Sequence, residues 1–383
     1  MALADIAPRL RTGGLAVARE PAVAVLAYLA ARAAGAIALA GWALAGGRPL
    51  LSPFTQVGDA RWYLAIARHG YAADVAAYPN PKEPMAFFPL YPWLVRTADL
   101  VLPFDTAACA LLLSWSAALL TALGLFRLGT LLHGPRTGVL LAVLWGVLPH
   151  AVVESMAYTE SLFTACAVWS LYAVLRGQWV AAAALAVAAG LTRPTGIAVV
   201  AAVCVAALAA LLHRRRPYAP LLAALFIAPL GWAGYVLWSG RAFGGGLTGY
   251  FAIQGSWGSH YDFGAGSLHL VADQLAAGRP EIALALVTAG AALVALIVVG
   301  VRQRQPLPLL VFSTVLVAIV LGGDGYFHSR PRFLLPAFGL LLPLAVLLSR
   351  LRTRTAAAVL AAAAVLSALC GVYLVAHTGT AVL

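Results

Sequence analysis

The sequence predicts an all-α polytopic membrane protein. Three observations predict it. Of the 383 residues 63% are hydrophobic and only 10% charged, the mean hydropathy is +0.91, and apolar runs of membrane-crossing length recur along the chain. A water-soluble domain carries about 25% charged residues. A soluble globular enzyme, a disordered chain and a disulfide-built secreted module are excluded together. The cysteines Cys109, Cys166, Cys204 and Cys370 are isolated within apolar stretches, so neither a metal site nor a disulfide framework is expected. Arginine outnumbers lysine 24 to one (Lys82), and alanine runs fill 181–184 and 361–364. That bias suggests a GC-rich, bacterial coding genome.

A helix needs about 20 apolar residues to cross a bilayer. By that ruler about eleven spans are expected, at about 21–45, 106–132, 137–153, 159–175, 178–192, 195–212, 218–238, 282–300, 306–321, 333–349 and 355–376. The whole chain, 1–383, reads as one transmembrane domain. The first span follows Arg9, Arg11 and Arg19 and is longer than a signal-peptide core, so a retained helix is expected.

The formal charge of +12 is explained by topology rather than by nucleic acid. A cytoplasmic N-terminus with alternating sides puts Arg127/Arg136, Arg176, Arg214–Arg216, Arg302/Arg304 and Arg350/Arg352/Arg354 in short cytoplasmic loops. With the N-terminal three, these are 14 of the 25 Lys and Arg. The same choice places 11 of the 13 acids outside: Asp59, Asp74, Glu83, Asp99, Asp105, Glu154, Glu160, Asp262, Asp273, Glu281 and Asp324. One choice sorts both signs, as the positive-inside rule requires.

The long segments 46–105, 240–281 and 322–332 then face outward, and loops on a rigid scaffold are where chemistry tends to sit. No P-loop or Rossmann glycine pattern stands on the cytoplasmic side.

In the first outer loop, 57-VGDARWYLAIARHGY-71, residues 60–67 read as a short amphipathic helix. Trp62, Tyr63 and Ile66 are expected in the membrane interface and Arg61 and Arg68 in water. Asp59 suits two roles, a cap on the free N–H groups of that helix and a general base kept dry at the membrane surface. Further on, 78-YPNPKEPMAFFPLYPWLVR-96 places Glu83 in a loop stiffened by Pro79, Pro81, Pro84, Pro89 and Pro92. Glu83 is either a solvated loop acid or part of an aromatic surface with Phe87, Phe88, Tyr91 and Trp93, suited to the membrane interface or to stacking on a sugar or isoprenoid.

The third outer site, 149-PHAVVESMAYTESLF-163, sets Glu154 and Glu160 at a short turn. Glu154, Tyr158 and Ser161 either line a cavity or cap helix ends. Arg193, in 190-GLTRPTG-196, either pairs with one of these glutamates or offers charge to a phosphate. In 322-GGDGYFHSRPRFLLP-336, Asp324, His328, Arg330 and Arg332 gather before a span. Basic residues on the outer face run against the charge trend, and either an anionic group such as a lipid phosphate or the surplus outer acids accounts for them.

These stretches resemble the GT-C superfamily of lipid-phosphate-sugar glycosyltransferases, most closely the GPI mannosyltransferase 2 (PIG-V) family and its bacterial relatives. The resemblance rests on GDARWYLAIARHGY, AFFPLYPWLVR, ESMAYTESLFTACAVWSLYA and GLTRPTG, in order across about residues 55–200, with HSRPRFLLP as a looser echo. The family's tryptophan-aspartate pair reads Gly58-Asp59 here. The resemblance implies a GT-C-type fold and an inverting mannosyl transfer, from polyprenyl-phosphate-mannose to an acceptor hydroxyl, at the extracytoplasmic face of the plasma membrane. Asp59 is then the base. Glu83, Tyr91, Glu154, Tyr158, Glu160 and Arg193 are expected to bind substrate, and His328, Arg330 and Arg332 the donor phosphate. No metal or other cofactor is expected, and a glycolipid, a lipoglycan or a protein is the acceptor. The competing readings are a GT-C transferase for another lipid-linked sugar (arabinofuranose, glucose or galactose), a transporter or flippase of a lipid-linked substrate, and a structural membrane partner.

Overall fold

A computed structural model describes residues 20–71, 83–242 and 245–377. Arg9, Arg11, Arg19, Asp74, Pro79, Pro81 and Lys82 lie outside the described residues. The chain is helical nearly throughout: α1 (Glu20–Ala45), α2 (Ser52–Thr55), α3 (Ala60–His69), α4 (Leu90–Val101), α5 (Thr106–His133), α6 (Pro135–Gly146), α7 (Glu160–Leu175), α8 (Trp179–Gly190) and α9 (Ile197–Leu212). There follow α10 (Tyr218–Ile227), α11 (Leu230–Ala242), α12 (Gly249–Ser256), α13 (Ala265–Ala276), α14 (Pro280–Arg302), α15 (Leu307–Gly322), α16 (Arg330–Phe333), α17 (Phe338–Ser349) and α18 (Thr353–His377). Two dipeptide strands, β1 (His260–Tyr261) and β2 (Gly323–Asp324), pair antiparallel and tie the segment 245–281 to the segment 322–332.

Among the described residues, six helical stretches are long and apolar enough to cross a bilayer. These are α1, α5, Pro194–Leu212 through α9, Tyr218–Ala242 through α10 and α11, α14 and α18. A seventh is added if the pair Phe327–Phe333 and Phe338–Ser349, bent by 63°, counts as one span. The protein is therefore an all-α polytopic membrane protein. The expected span at 137–153 differs from the structure: α6 stops at Gly146, and a 3-10 turn occupies Ala151–Ser155. The cause is Pro149, which has no N–H to donate and drives the residue before it out of the helical region.

The bundle closes around alanine, leucine and valine. α5 packs on α6 and α7, α7 on α8, α9 on α15, α6 on α17, and α1 on both α6 and α18. One core of Leu125, Trp145, Phe163, Val199, Phe312 and Phe338 fills the interior. A second, with Phe54, Tyr63, Tyr91, Val153, Met156, Tyr158 and Leu335, lies where the connections at one end meet the bundle. Small residues let the helices approach closely. A Cβ on Gly129 of α5 would sit 2.7 Å from Cα of Gly138 in α6, a contact with backbone that no rotamer relieves.

Gly129→Leu should therefore split the α5–α6 hairpin and cost about 1–3 kcal/mol or more by overpacking. Thermal unfolding in detergent checks this, with the outward-facing Gly234→Leu, whose Cβ meets nothing within 4 Å, as the neutral control.

Candidate functional site

The connections at one end of the bundle are lashed together before any charge is counted. The backbone N–H of Ala157 donates to Phe54 O at 2.8 Å, and that of Asp59 to the Tyr158 hydroxyl at 2.9 Å. Tyr158 Oη in turn donates to Val57 O at 3.3 Å. The Tyr63 and Thr159 hydroxyls meet at 3.1 Å. Gly58 turns the chain into α3 with φ at +57°, a conformation that costs glycine nothing. Segment 54–63 is thereby held against the turn 157–160.

Onto this frame the fold brings four charged side chains from four separate segments. Arg332 of α16 donates from Nη1 to Asp59 Oδ2 at 2.7 Å, and its Nε lies 3.4 Å from Glu160 Oε1. Arg193, just after α8, holds the same Glu160 oxygen from Nη1 at 2.6 Å and donates to Thr159 Oγ1 at 2.8 Å. Two carboxylates and two guanidinium groups form a chain of formal charge zero. The Arg332 guanidinium also lies over the rings of Tyr158 (5.2 Å) and Phe333 (4.9 Å), where the π faces favour a cation. Exposure separates the two acids. The Glu160 side chain is fully buried, while Asp59 keeps 27% of its side-chain surface open. Tyr326, in the loop before α16, stands near enough to Asp59 for that charge to help burial raise its phenol above the ordinary range.

A second buried set lies one turn of chain away. Glu154 Oε2 accepts from the Tyr28 hydroxyl at 2.9 Å and lies 3.8 Å from Arg32 Nε. Arg32 also donates to Gly146 O and to Ser155 Oγ, both at 3.1 Å. Burial pushes the Glu154 carboxyl up to about 8; Arg32 and the Tyr28 hydrogen bond oppose this without cancelling it. Tyr28 and Arg32 are not among the candidates that motifs and spacing pick out, although an arginine midway along an apolar 26-residue helix is a signal in itself.

Of the residues nominated from sequence, Asp59, Tyr158, Glu160, Arg193 and Arg332 come together. The others stand apart. Glu154 belongs to the Arg32 set, and Arg193 takes the glutamate-pairing role. The Tyr91 hydroxyl is engaged by Ser114 Oγ at 2.8 Å and Ala110 O at 3.0 Å inside the protein. Glu83 opens a 3-10 turn, Glu83–Ala86, half-exposed. His328 is exposed. Arg330 donates to Ser267 Oγ at 2.8 Å and to Gly323 O, and lies over Phe327.

Two expectations for α3 need correction. Asp59 makes no side-chain cap: its own backbone is already helical (φ −67°, ψ −19°), and its carboxylate turns to Arg332 instead. Tyr63 and Ile66 are buried in protein rather than placed in the interface, because α4 and α5 cover that face of α3. Trp62 packs at the rim, stacked on Phe87 (5.6 Å) and edge-on to Trp257 (5.2 Å).

Among the described residues no three His, Cys, Asp or Glu side chains converge as a metal site would require. Compared with models of known protein families and with curated proteins, the chain matches none.

Removing Arg332 leaves the sealed Glu160 with Arg193 alone and takes the guanidinium from Asp59. Arg332→Ala should cost about 3–5 kcal/mol, whereas Asp59→Asn, at a partly screened position, should cost about 1 kcal/mol or less. Chemical unfolding in detergent distinguishes them, and equal losses would contradict the burial asymmetry. The Glu154 set makes a pH prediction. The folded state holds this carboxyl's proton up to about 8 and the unfolded chain only to its ordinary 4.5. The folded state therefore binds more protons between those values, and stability falls as pH rises through that window. Glu154→Gln should flatten the fall, as read from Tm at pH 6 and pH 9.

Proposed function

We propose that this protein is a GT-C-type glycosyltransferase with eleven crossings. It transfers mannose from polyprenyl-phosphate-mannose to an acceptor hydroxyl at the extracytoplasmic face of a bacterial plasma membrane. The observation that carries the reading is the meeting of Asp59, Glu160, Arg193 and Arg332. Each comes from a different one of the motifs behind the family resemblance, and of the two acids the partly open one is the aspartate.

The chemistry follows from the roles those groups suit. Arg332 engages Oδ2 of Asp59 and fixes the carboxylate, while Oδ1 has no protein donor among the described residues. Oδ1 takes the proton of the acceptor hydroxyl as its oxygen attacks the anomeric carbon. The bond from that carbon to the phosphate oxygen breaks on the opposite face, and the electron pair leaves with the polyprenyl phosphate. A β-linked donor then gives an α-mannoside. Arg330 and Arg332 lie on α16 with His328 just before it, and in this reading the two arginines serve the charge that develops on the leaving phosphate. Glu160 and Arg193 hold Arg332 in place, and placement within a fraction of an ångström is what such catalysis needs. The donor reaches the site sideways from the bilayer and the acceptor from the aqueous side.

The test uses the full chain in nanodiscs with synthetic polyprenyl-phosphate-mannose and a mannosylated lipid acceptor. Wild type should transfer mannose. Asp59→Asn should lose more than about a hundredfold, the lower range of a general base, while its unfolding transition stays near that of wild type. Consumption of lipid-linked arabinofuranose, glucose or galactose in place of mannose would keep the mechanism and replace the sugar. Neglect of every lipid-linked sugar would overturn the reading and bring forward transport of a lipid-linked substrate.

A further inference from the structure

Helix α13 has no buried residue, yet it is far from polar. Phe263, two residues ahead of it, is 89% exposed, Leu268 72% and Leu275 55%. Leu268, Ala272 and Leu275 recur at helical spacing and form one outward stripe, whereas His269 and Asp273 lie to its side, also exposed. Apolar surface of this extent on a single short helix marks an interaction site.

Two further observations say what covers it. First, α13 packs on α14, which begins at Pro280 after a connection of only three residues. Of the 23 residues of α14 only Ala283 and Gly300 are buried, and Leu284, Val287, Val294, Val298 and Val301 are exposed. In a helix apolar enough to span a membrane, that exposure faces lipid, so the α13 stripe is continuous with a lipid-facing surface. Second, α13 is fixed at its start: the Asp262 carboxylate accepts the N–H groups of Gly264 and Gly266. The stripe is therefore held outward rather than free to fold onto the protein.

We propose that α13 is an interfacial helix that lays Phe263, Leu268 and Leu275 into the bilayer surface beside α14. The partner is the lipid surface itself, engaged through apolar burial. The flanking side chains His269 and Asp273 carry no surplus of positive charge, so anionic headgroups are not needed. The attachment reaches the candidate site. Ser267 of α13 donates to Leu321 O at 2.7 Å and accepts from Arg330 Nη1 at 2.8 Å. Strands β1 and β2 join the two loops directly. The loop that presents Arg332 to Asp59 is thus moored to a helix lying on the membrane.

The experiment places a fluorophore on Leu268→Cys, Leu275→Cys, His269→Cys or Asp273→Cys, each in the full chain with its four native cysteines replaced by serine. The protein is reconstituted in phosphatidylcholine vesicles, with and without phosphatidylglycerol. Doxyl-labelled lipids should quench positions 268 and 275 at a depth of about 5–10 Å below the headgroups, and aqueous iodide should quench 269 and 273. Phosphatidylglycerol should leave the depths unchanged. Quenching of 268 and 275 by iodide, or by neither agent because a second copy covers them, would overturn the proposal. So would a depth that requires phosphatidylglycerol. If the cysteine-free background does not fold, carbene labelling of the unmodified chain from diazirine lipids decides the same question. Adducts on 263–275 support the proposal, and labelling confined to α14 overturns it.

Discussion

Arg332 holds one end of the molecule together. Its guanidinium spans two carboxylates that the chain keeps far apart in sequence, and the bond to Asp59 alone joins residues 273 positions apart. A buried guanidinium without partners would cost several kcal/mol in lost hydration. Burial of this one is tolerable because planar, forked donors engage both acids while aromatic faces cover the rest. The dependence runs the other way as well. Glu160 has no surface in contact with water, and its ion-pair partners are Arg332 and Arg193. Loss of Glu160 would take the shared carboxylate from both buried arginines at once, so the four segments are coupled more tightly than their individual contacts suggest.

The turn from Ala151 to Glu160 is clamped from both sides by buried polar and charged groups. On one side Arg32 and Tyr28 of α1 hold Glu154, and on the other Arg193 and Arg332 hold Glu160. Ser161 Oγ donates to Glu154 O at 3.3 Å and links the two. Ionisable groups in a span are expensive and are retained where they do something. Here the expense fixes a short turn that carries Thr159 and Tyr158, the groups that in turn seat α3 and Asp59. The order of dependence is from the span, through the turn, to the acid at the rim.

Much of the architecture was legible in composition and hydropathy, because apolar runs must become helices once water is excluded. The failures have local physical causes. Pro149 ended α6 early, a signal present in the sequence but outweighed by the apolar residues around it. Asp59 looks like a cap by spacing, and no spacing reveals that Arg332 will stand within 2.7 Å of it. Likewise the amphipathic pattern of 60–67 identifies a helix with one apolar face but not whether lipid or protein covers that face. Tyr63 and Ile66 met protein. Charges near span ends were found as candidates, whereas Arg32 hid in a run whose average hydropathy absorbed it. Pairings among the candidates needed three dimensions.

The difference between the two acids argues for a division of labour. Both touch Arg332, and both sit at the start of a helix, Asp59 just before α3 and Glu160 opening α7. A carboxylate sealed from solvent can orient an arginine but cannot exchange a proton with an incoming hydroxyl. One with a quarter of its surface open can do so while its second oxygen stays anchored. The sealed acid, the shared arginine and the open acid therefore form a line from the dry interior to the rim. Each member fixes the next, and the last keeps the most surface open. That gradient, more than the number of charges, sets this cluster apart from the Arg32–Glu154 set, whose carboxylate is sealed.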